Sequence, residues 1–248
     1  IVAIIVFPIL VALILFIINS GAYIVPPIYN RPPIGGGTAA PCPDGGIEIT
    51  SDLAGKITGG VVQLLPDSNG ARASHYCITP TMVILHSSSG YDNATGADMT
   101  FGALVQRNLA CQLATDTTKT LLMQPFYETQ VEMAWCANSW DSYGVSIELS
   151  GECLGSSCNP ANSSCGPYDN PIFNNPPPHP CDPETDNAVS AVCAVMNQYK
   201  IPWCQIYTHD DVPNAIHTDP EGKDWVYNYF IPKVKNACPN DQGGLCNQ

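Results

Sequence analysis

Two of the five histidines in this chain close short apolar runs. His86 follows Met82-Val83-Ile84-Leu85, and His209 comes soon after the run Cys204–Tyr207. Such runs read as buried strands. The end of a strand is where an α/β sheet usually builds its site. Asp210-Asp211-Val212-Pro213 follows His209, and His217-Thr218-Asp219-Pro220 comes next. Two neutral imidazoles and a carboxylate, from His86, His209 and Asp219, make a catalytic zinc set that leaves the fourth position to water. The plain alternative makes His209 a hydrogen-bonded core histidine and Asp219 a turn cap before Pro220. Glu148 stands in Val145-Ser146-Ile147-Glu148-Leu149, an alternating strand pattern, on the face opposite Ile147 and Leu149. A strand Glu is ordinarily solvent-facing, so it gains chemical interest only where the sheet sets it beside a metal. His75 and His179 fall outside these patterns.

The elements that must position these residues are partly readable. Residues 98–110 read as a helix with Met99, Leu104 and Leu109 among its apolar positions. Gln112–Ala114 and Thr120–Met123 flank Asp116-Thr117-Thr118-Lys119, a hairpin turn. Asp182-Pro183 opens a helix as N-cap and first helical residue. Ala188, Val189, Val192, Val195, Met196 and Tyr199 continue it at helical spacing, and Ile201-Pro202 ends it. A C-terminal helix is expected around Asp224–Lys235, bent or ended by Pro232. Trp135, Trp140 and Tyr143 precede the Glu148 strand. They are candidates to line a glycan or peptide groove, with core packing expected for at least one of them.

The chain has 248 residues, with 9 Lys+Arg against 22 Asp+Glu and a net charge of −13. That balance excludes a nucleic-acid partner, which needs basic clusters, and docking on anionic lipid through a basic patch. Residues 1–18 carry no polar side chain. As a helix they would span roughly 27 Å at about 1.5 Å per residue, close to a bilayer core. Residues 1–22 are therefore expected to be a transmembrane anchor or a signal segment, with cleavage near Ala22 in the second case. Residues 23–46 read as a Pro/Gly-rich spacer, and 47–248 as the globular domain. The twelve cysteines include no C-x-x-C pair, so disulfides outside the cytoplasm are the direct reading. Four of them lie in 151–184, a Cys-rich insertion that either walls a cleft or is a stapled surface loop. The expected location is membrane-anchored through residues 1–18 with the domain outside the cytoplasm, or secreted if the segment is cleaved.

Taken in order, MVILHSSSG, AWCANSW, VSIELSG, a helix and IYTHDDVPNAIHTDPEG resemble the zinc-dependent type 2 N-acetylmuramoyl-L-alanine amidases. That fold is shared with peptidoglycan recognition proteins. The likeness runs from Met82 to the C-terminal helix, and the ten-residue step from His209 to Asp219 is its most specific element. The resemblance implies a single α/β amidase-type domain, with a central mixed β-sheet flanked by helices. It implies Zn²⁺ on His86, His209 and Asp219, with Glu148 as general base and His217 beside the developing oxyanion. The implied reaction is hydrolysis of the amide between N-acetylmuramic acid and L-alanine in peptidoglycan. Three positions depart from the family. His217 stands where a Lys is frequent, Cys136 where a second His is common, and Cys111 opens a strand where a further His is often found. The alternatives are a non-catalytic peptidoglycan-binding module and a membrane-tethered component of envelope assembly.

Overall fold

Burial alternates in partner, not in degree, along the strand that ends in His86, and this sets the architecture. The computed structural model describes residues 39–43, 46–87, 95–150, 182–213, 225–238 and 246, all within the unit Pro33–Gln248. The expectations for residues 1–22 and for most of the spacer and the Cys-rich insertion fall outside the described residues, as do His179, His217 and Asp219. The strands are β1 (Ala40–Pro41), β2 (Gly60–Val62), β3 (Tyr76–Ile78), β4 (Met82–Ser87), β5 (Leu113–Thr115), β6 (Thr120–Leu122), β7 (Val131–Glu132), β8 (Gly144–Leu149) and β9 (Ile206–Thr208). The longer helices are α1 (Gly96–Arg107), α2 (Asp182–Tyr199) and α3 (Ile231–Ala237).

Six strands form the main sheet in the order β2-β6-β5-β8-β4-β9. Only β5 and β6 pair antiparallel; the other neighbours run parallel. A second sheet, β1-β3-β7, is antiparallel. Val83, Leu85, Val145, Ile147 and Leu149 pack on α2 through Ala188, Val192 and Val195, and on Trp225, Phe230 and Val234 of the C-terminal helical segment. The opposite face carries Met82 and Ile84, which pack with Ala137, Trp140, Tyr207 and Val212. Further along that face Ala114 and Leu121 meet Ala97 and Leu104 of α1. A parallel sheet covered on both faces needs near-continuous apolar strands, which explains why β4 reads as a run.

Several boundaries differ from the sequence expectation. The helix expected over 98–110 runs from Gly96 to Arg107, because Asn108 takes a left-handed conformation, φ 55°, and closes it. Met99 points to solvent. The hairpin forms as expected, and one carboxylate organises it: Asp116 Oδ1 accepts the Thr118 and Lys119 N–H groups at 2.7 and 2.9 Å. Its Oδ2 accepts the Ala97 N–H at 3.1 Å and so holds the start of α1. Trp203–Gln205 form a 3₁₀ turn, so β9 starts at Ile206, two residues later than the run suggested. Near the C-terminus a π-helical turn, Val226–Phe230, leads into α3. Pro232 follows the π turn directly, in the first turn of α3, and the helix continues through it.

Four disulfides are described: Cys42–Cys77, Cys111–Cys136, Cys193–Cys238 and Cys204–Cys246. The first, with the β1–β3 pairing, ties the chain to the domain from Ala40 onward. No described helix is long and apolar enough to cross a membrane.

Candidate metal centre

Side chains two residues apart on a strand share a face. Met82, Ile84 and His86 therefore point one way on β4, and Gly144, Ser146 and Glu148 follow the same rule on β8. On β9 Tyr207 lies on that face as well, and His209 opens the 3₁₀ turn that follows the strand. The parallel register sets His86 directly against Glu148, and Leu85 against Thr208, so His209 emerges beside His86. The two imidazole rings lie 4.7 Å apart between centroids, tilted by 39°, and both are buried. Imidazoles that share a tetrahedral zinc through nitrogens ~2.0–2.1 Å from it have centroids roughly 5 Å apart. The spacing of the two rings is of that order. A nitrogen of His86, the Cys136 sulfur and a carboxylate oxygen of Glu148 lie within 4.8 Å of one another. Glu148 Oε1 rests against the Cys111–Cys136 disulfide, 3.4 Å from Cys111 Sγ and 3.5 Å from Cys136 Sγ.

The surrounding polar groups fix the strand ends. After β9 the chain turns through His209–Asp211. Asp211 Oδ2 accepts the Thr208 N–H at 3.0 Å and the Thr208 hydroxyl at 2.9 Å, a reciprocal cap on the turn that carries His209. The Tyr227 hydroxyl donates to the same carboxylate oxygen. Burial first, and then the bond to Asp211, push the Tyr227 phenol up, so it remains a neutral donor. Beyond β8, Glu184 of α2 is fully buried. Its Oε1 accepts the Ser150 N–H at 2.5 Å and the Ser150 hydroxyl at 3.1 Å, which pins the chain two residues past Glu148.

Asp141 is the acidic group that sequence reasoning missed. It accepts the N–H groups of Cys136 and Ala137 at 2.8 and 2.5 Å. Burial pushes its carboxyl up to about 6, against the pull of those two bonds and of His209 nearby. Nothing in the pattern Ser139-Trp140-Asp141-Ser142 marks it. Asp211, by contrast, stands in Thr208-x-x-Asp211, a readable capping pattern.

Of the three aromatics, Trp140 is 8% exposed and meets Tyr207 edge-on at 5.1 Å between centroids. It takes the core role expected for at least one of them. Tyr143 is half-buried against the same cluster, and Trp135 is 41% exposed. The structure sets His86 in register with Glu148 and its ring beside that of His209, and the three donors that converge among the described residues are those of His86, Cys136 and Glu148, without His209. His75 lies elsewhere, 3.6 Å from Glu132.

No protein-family model matches the chain, and no curated protein matches it. Solved structures give partial superpositions. A mutant endolysin from Bacillus subtilis is 14% identical with a TM-score of 0.49, covering 72% of this chain and 97% of its own. The Staphylococcus aureus hydrolase AmiA in complex with its ligand is 10% identical with a TM-score of 0.44, covering 64% and 73%. The N-acetylmuramoyl-L-alanine amidase LysC from Clostridium intestinale URNW is 14% identical with a TM-score of 0.41, covering 65% and 86%. Likeness at this level assigns no residue of this chain a role.

Proposed function

We propose that this chain is a zinc-dependent amidase that cuts the amide between N-acetylmuramic acid and L-alanine in peptidoglycan. The observation that carries the reading is the meeting of His86 and His209 at adjacent strand ends, with Glu148 in register beside His86. His86, His209 and Asp219 would hold the ion. Zinc, when bound, supplies Lewis-acid polarisation of the scissile carbonyl and acidifies the attacking water. Glu148 takes the water's proton and passes it to the leaving nitrogen, since an amine leaves an amide only once protonated. His217 donates a hydrogen bond to the developing oxyanion. In the same proposal residues 1–18 anchor the chain or direct its export, and the domain works outside the cytoplasm on a wall substrate.

Metal content and turnover test the reading together. The purified chain is expected to bind one zinc, to lose it in His209→Ala, and to release L-alanine-terminated peptides from muropeptides until a chelator is added. Zinc that survives His209→Ala overturns the ligand set. Muropeptide binding with no cleavage under any metal loading overturns the enzyme and leaves a binding module. For His217, the His217→Lys variant is expected to flatten the fall in activity as the imidazole deprotonates near neutral pH. An unchanged pH profile removes it from the oxyanion role.

A further inference from the structure

We infer that the Cys111–Cys136 disulfide masks a second, thiolate-containing metal site formed by His86, Cys136 and Glu148, and that reduction opens it. This rests on the reading of His86 as a ligand and of Glu148 as the base. Both sulfurs lie against the same Glu148 carboxylate oxygen, at 3.4 and 3.5 Å. The Cys136 sulfur, a His86 nitrogen and a Glu148 oxygen already stand within 4.8 Å of one another. Donors bound to one tetrahedral ion, with metal–sulfur ~2.3 Å and metal–nitrogen ~2.0 Å, sit roughly 3.5 Å apart. Closing about 1 Å needs only side-chain rotation, which the S–S bond forbids to Cys136 and its cleavage allows.

Chemistry separates the two states. A disulfide sulfur is neutral and a poor ligand, whereas the thiolate is the form that binds metal. A thiolate beside an imidazole selects borderline and soft divalent ions such as Zn²⁺, Co²⁺ or Cd²⁺ over Mg²⁺ or Ca²⁺. Cys111 is fully buried, but Cys136 is half-buried, next to the exposed Trp135, so a reductant approaches from the Cys136 side. The reductant is a dithiol. Its thiolate attacks Cys136 Sγ, the S–S bond breaks, and Cys111 leaves and takes a proton. The second thiol of the reductant then attacks the mixed disulfide, releases Cys136 and leaves as a disulfide itself. Two electrons and two protons pass to the chain. His86 belongs to both ligand sets, and Glu148 is the base in one and a ligand in the other. An ion held by Cys136 therefore occupies both at once, and the hydrolase is silenced without losing metal.

Cobalt(II) is the probe, because sulfur ligation adds a near-ultraviolet charge-transfer band that nitrogen and oxygen donors lack. Cys111→Ser frees Cys136 with no reductant and leaves the other described disulfides intact. That variant is expected to bind cobalt with the sulfur band, which the oxidised wild-type chain lacks. Cys111→Ser/Cys136→Ser and Cys111→Ser/His86→Ala are expected to lose it. If Cys111→Ser does not fold, the wild-type chain is reduced with a dithiol, freed of reductant and compared with the equally reduced double serine variant. The expected difference is one sulfur-ligated cobalt per chain. A band absent from both preparations, or one that His86→Ala leaves unchanged, overturns the masked site. Zinc-loaded turnover is expected to drop by about 10²-fold or more on reduction, the scale of losing a general base. If the oxidised, zinc-loaded chain never cleaves muropeptides while the cobalt band appears, the amidase reading fails and the masked site stands. If cleavage occurs and no band appears, only the masked site fails.

Discussion

Glu132 and Glu148 are both strand carboxylates, and their surroundings set them different tasks. Glu148 stands beside His86 and against a disulfide. Its replacement by Ala is expected to lower muropeptide turnover by ~10²–10⁴ while zinc content holds, measured by steady-state kinetics and metal analysis. Full activity in that variant removes Glu148 from the mechanism. Glu132 is buried beside Arg72 and His75, at 3.4 and 3.6 Å. Burial pushes its carboxyl above the ordinary value near 4.5, and Arg72 and then His75 pull it back by less. A folded-state value above the unfolded one gives stability that is complete below the unfolded value and lost as pH rises through the folded one. The wild-type chain is therefore expected to lose stability relative to Glu132→Gln as pH rises from about 4.5 towards neutrality, read by denaturant titration at each pH. Parallel curves refute this. The legibility of single residues followed their chemistry. The positions of His86, Glu148 and His209 on or just past strands were readable, because each closes, interrupts or follows an apolar run. Asp141 was not, because its role comes from a backbone fold-back on Cys136 and Ala137 that no residue type announces.

At the scale of elements, the turn after β9 is held more tightly than its length suggests. Asp211 caps it from within, and Tyr227 reaches across from the C-terminal helical segment. A hydrogen bond to a charged group contributes ~1.5–3 kcal/mol. Tyr227→Phe is expected to cost about that much in urea unfolding, and Asp211→Ala more, because the cap is lost as well. Equal losses in the two variants would show that the cap contributes nothing. The Cys193–Cys238 disulfide joins α2 to the end of α3 across a separation of 45 residues. Replacing both cysteines with serine is expected to cost about 4 kcal/mol by the chain-entropy relation. The existence of the strands and of α2 was readable from hydrophobic period, since α2 buries Ala188, Val192 and Val195 at helical spacing. The boundaries were not. Asn108 stops α1 by a backbone conformation, and a π turn lets the chain pass Pro232, and neither leaves a mark in hydrophobic pattern.

For the whole molecule, charge and topology matter most. A chain of net charge −13 gains nothing from attraction to an anionic wall. Screening shortens from ~30 Å at 0.01 M salt to ~8 Å at 0.15 M. Hydrolysis of intact wall is therefore expected to hold steady or rise over that range, measured as soluble fragment release. A several-fold fall would reveal an attractive patch that the net charge hides. The class of the fold, strands alternating with helices, was legible. The order β2-β6-β5-β8-β4-β9 was not, because period tells which face a strand buries and not which neighbour it takes.

That order also governs when the centre exists during synthesis. β4 is made before both of its neighbours, and one of them, β9, follows only after β8 and α2. Until Ile206–Thr208 has docked, β4 is an edge strand and His86 has no second imidazole beside it. A nascent or prematurely terminated chain thus has half a centre.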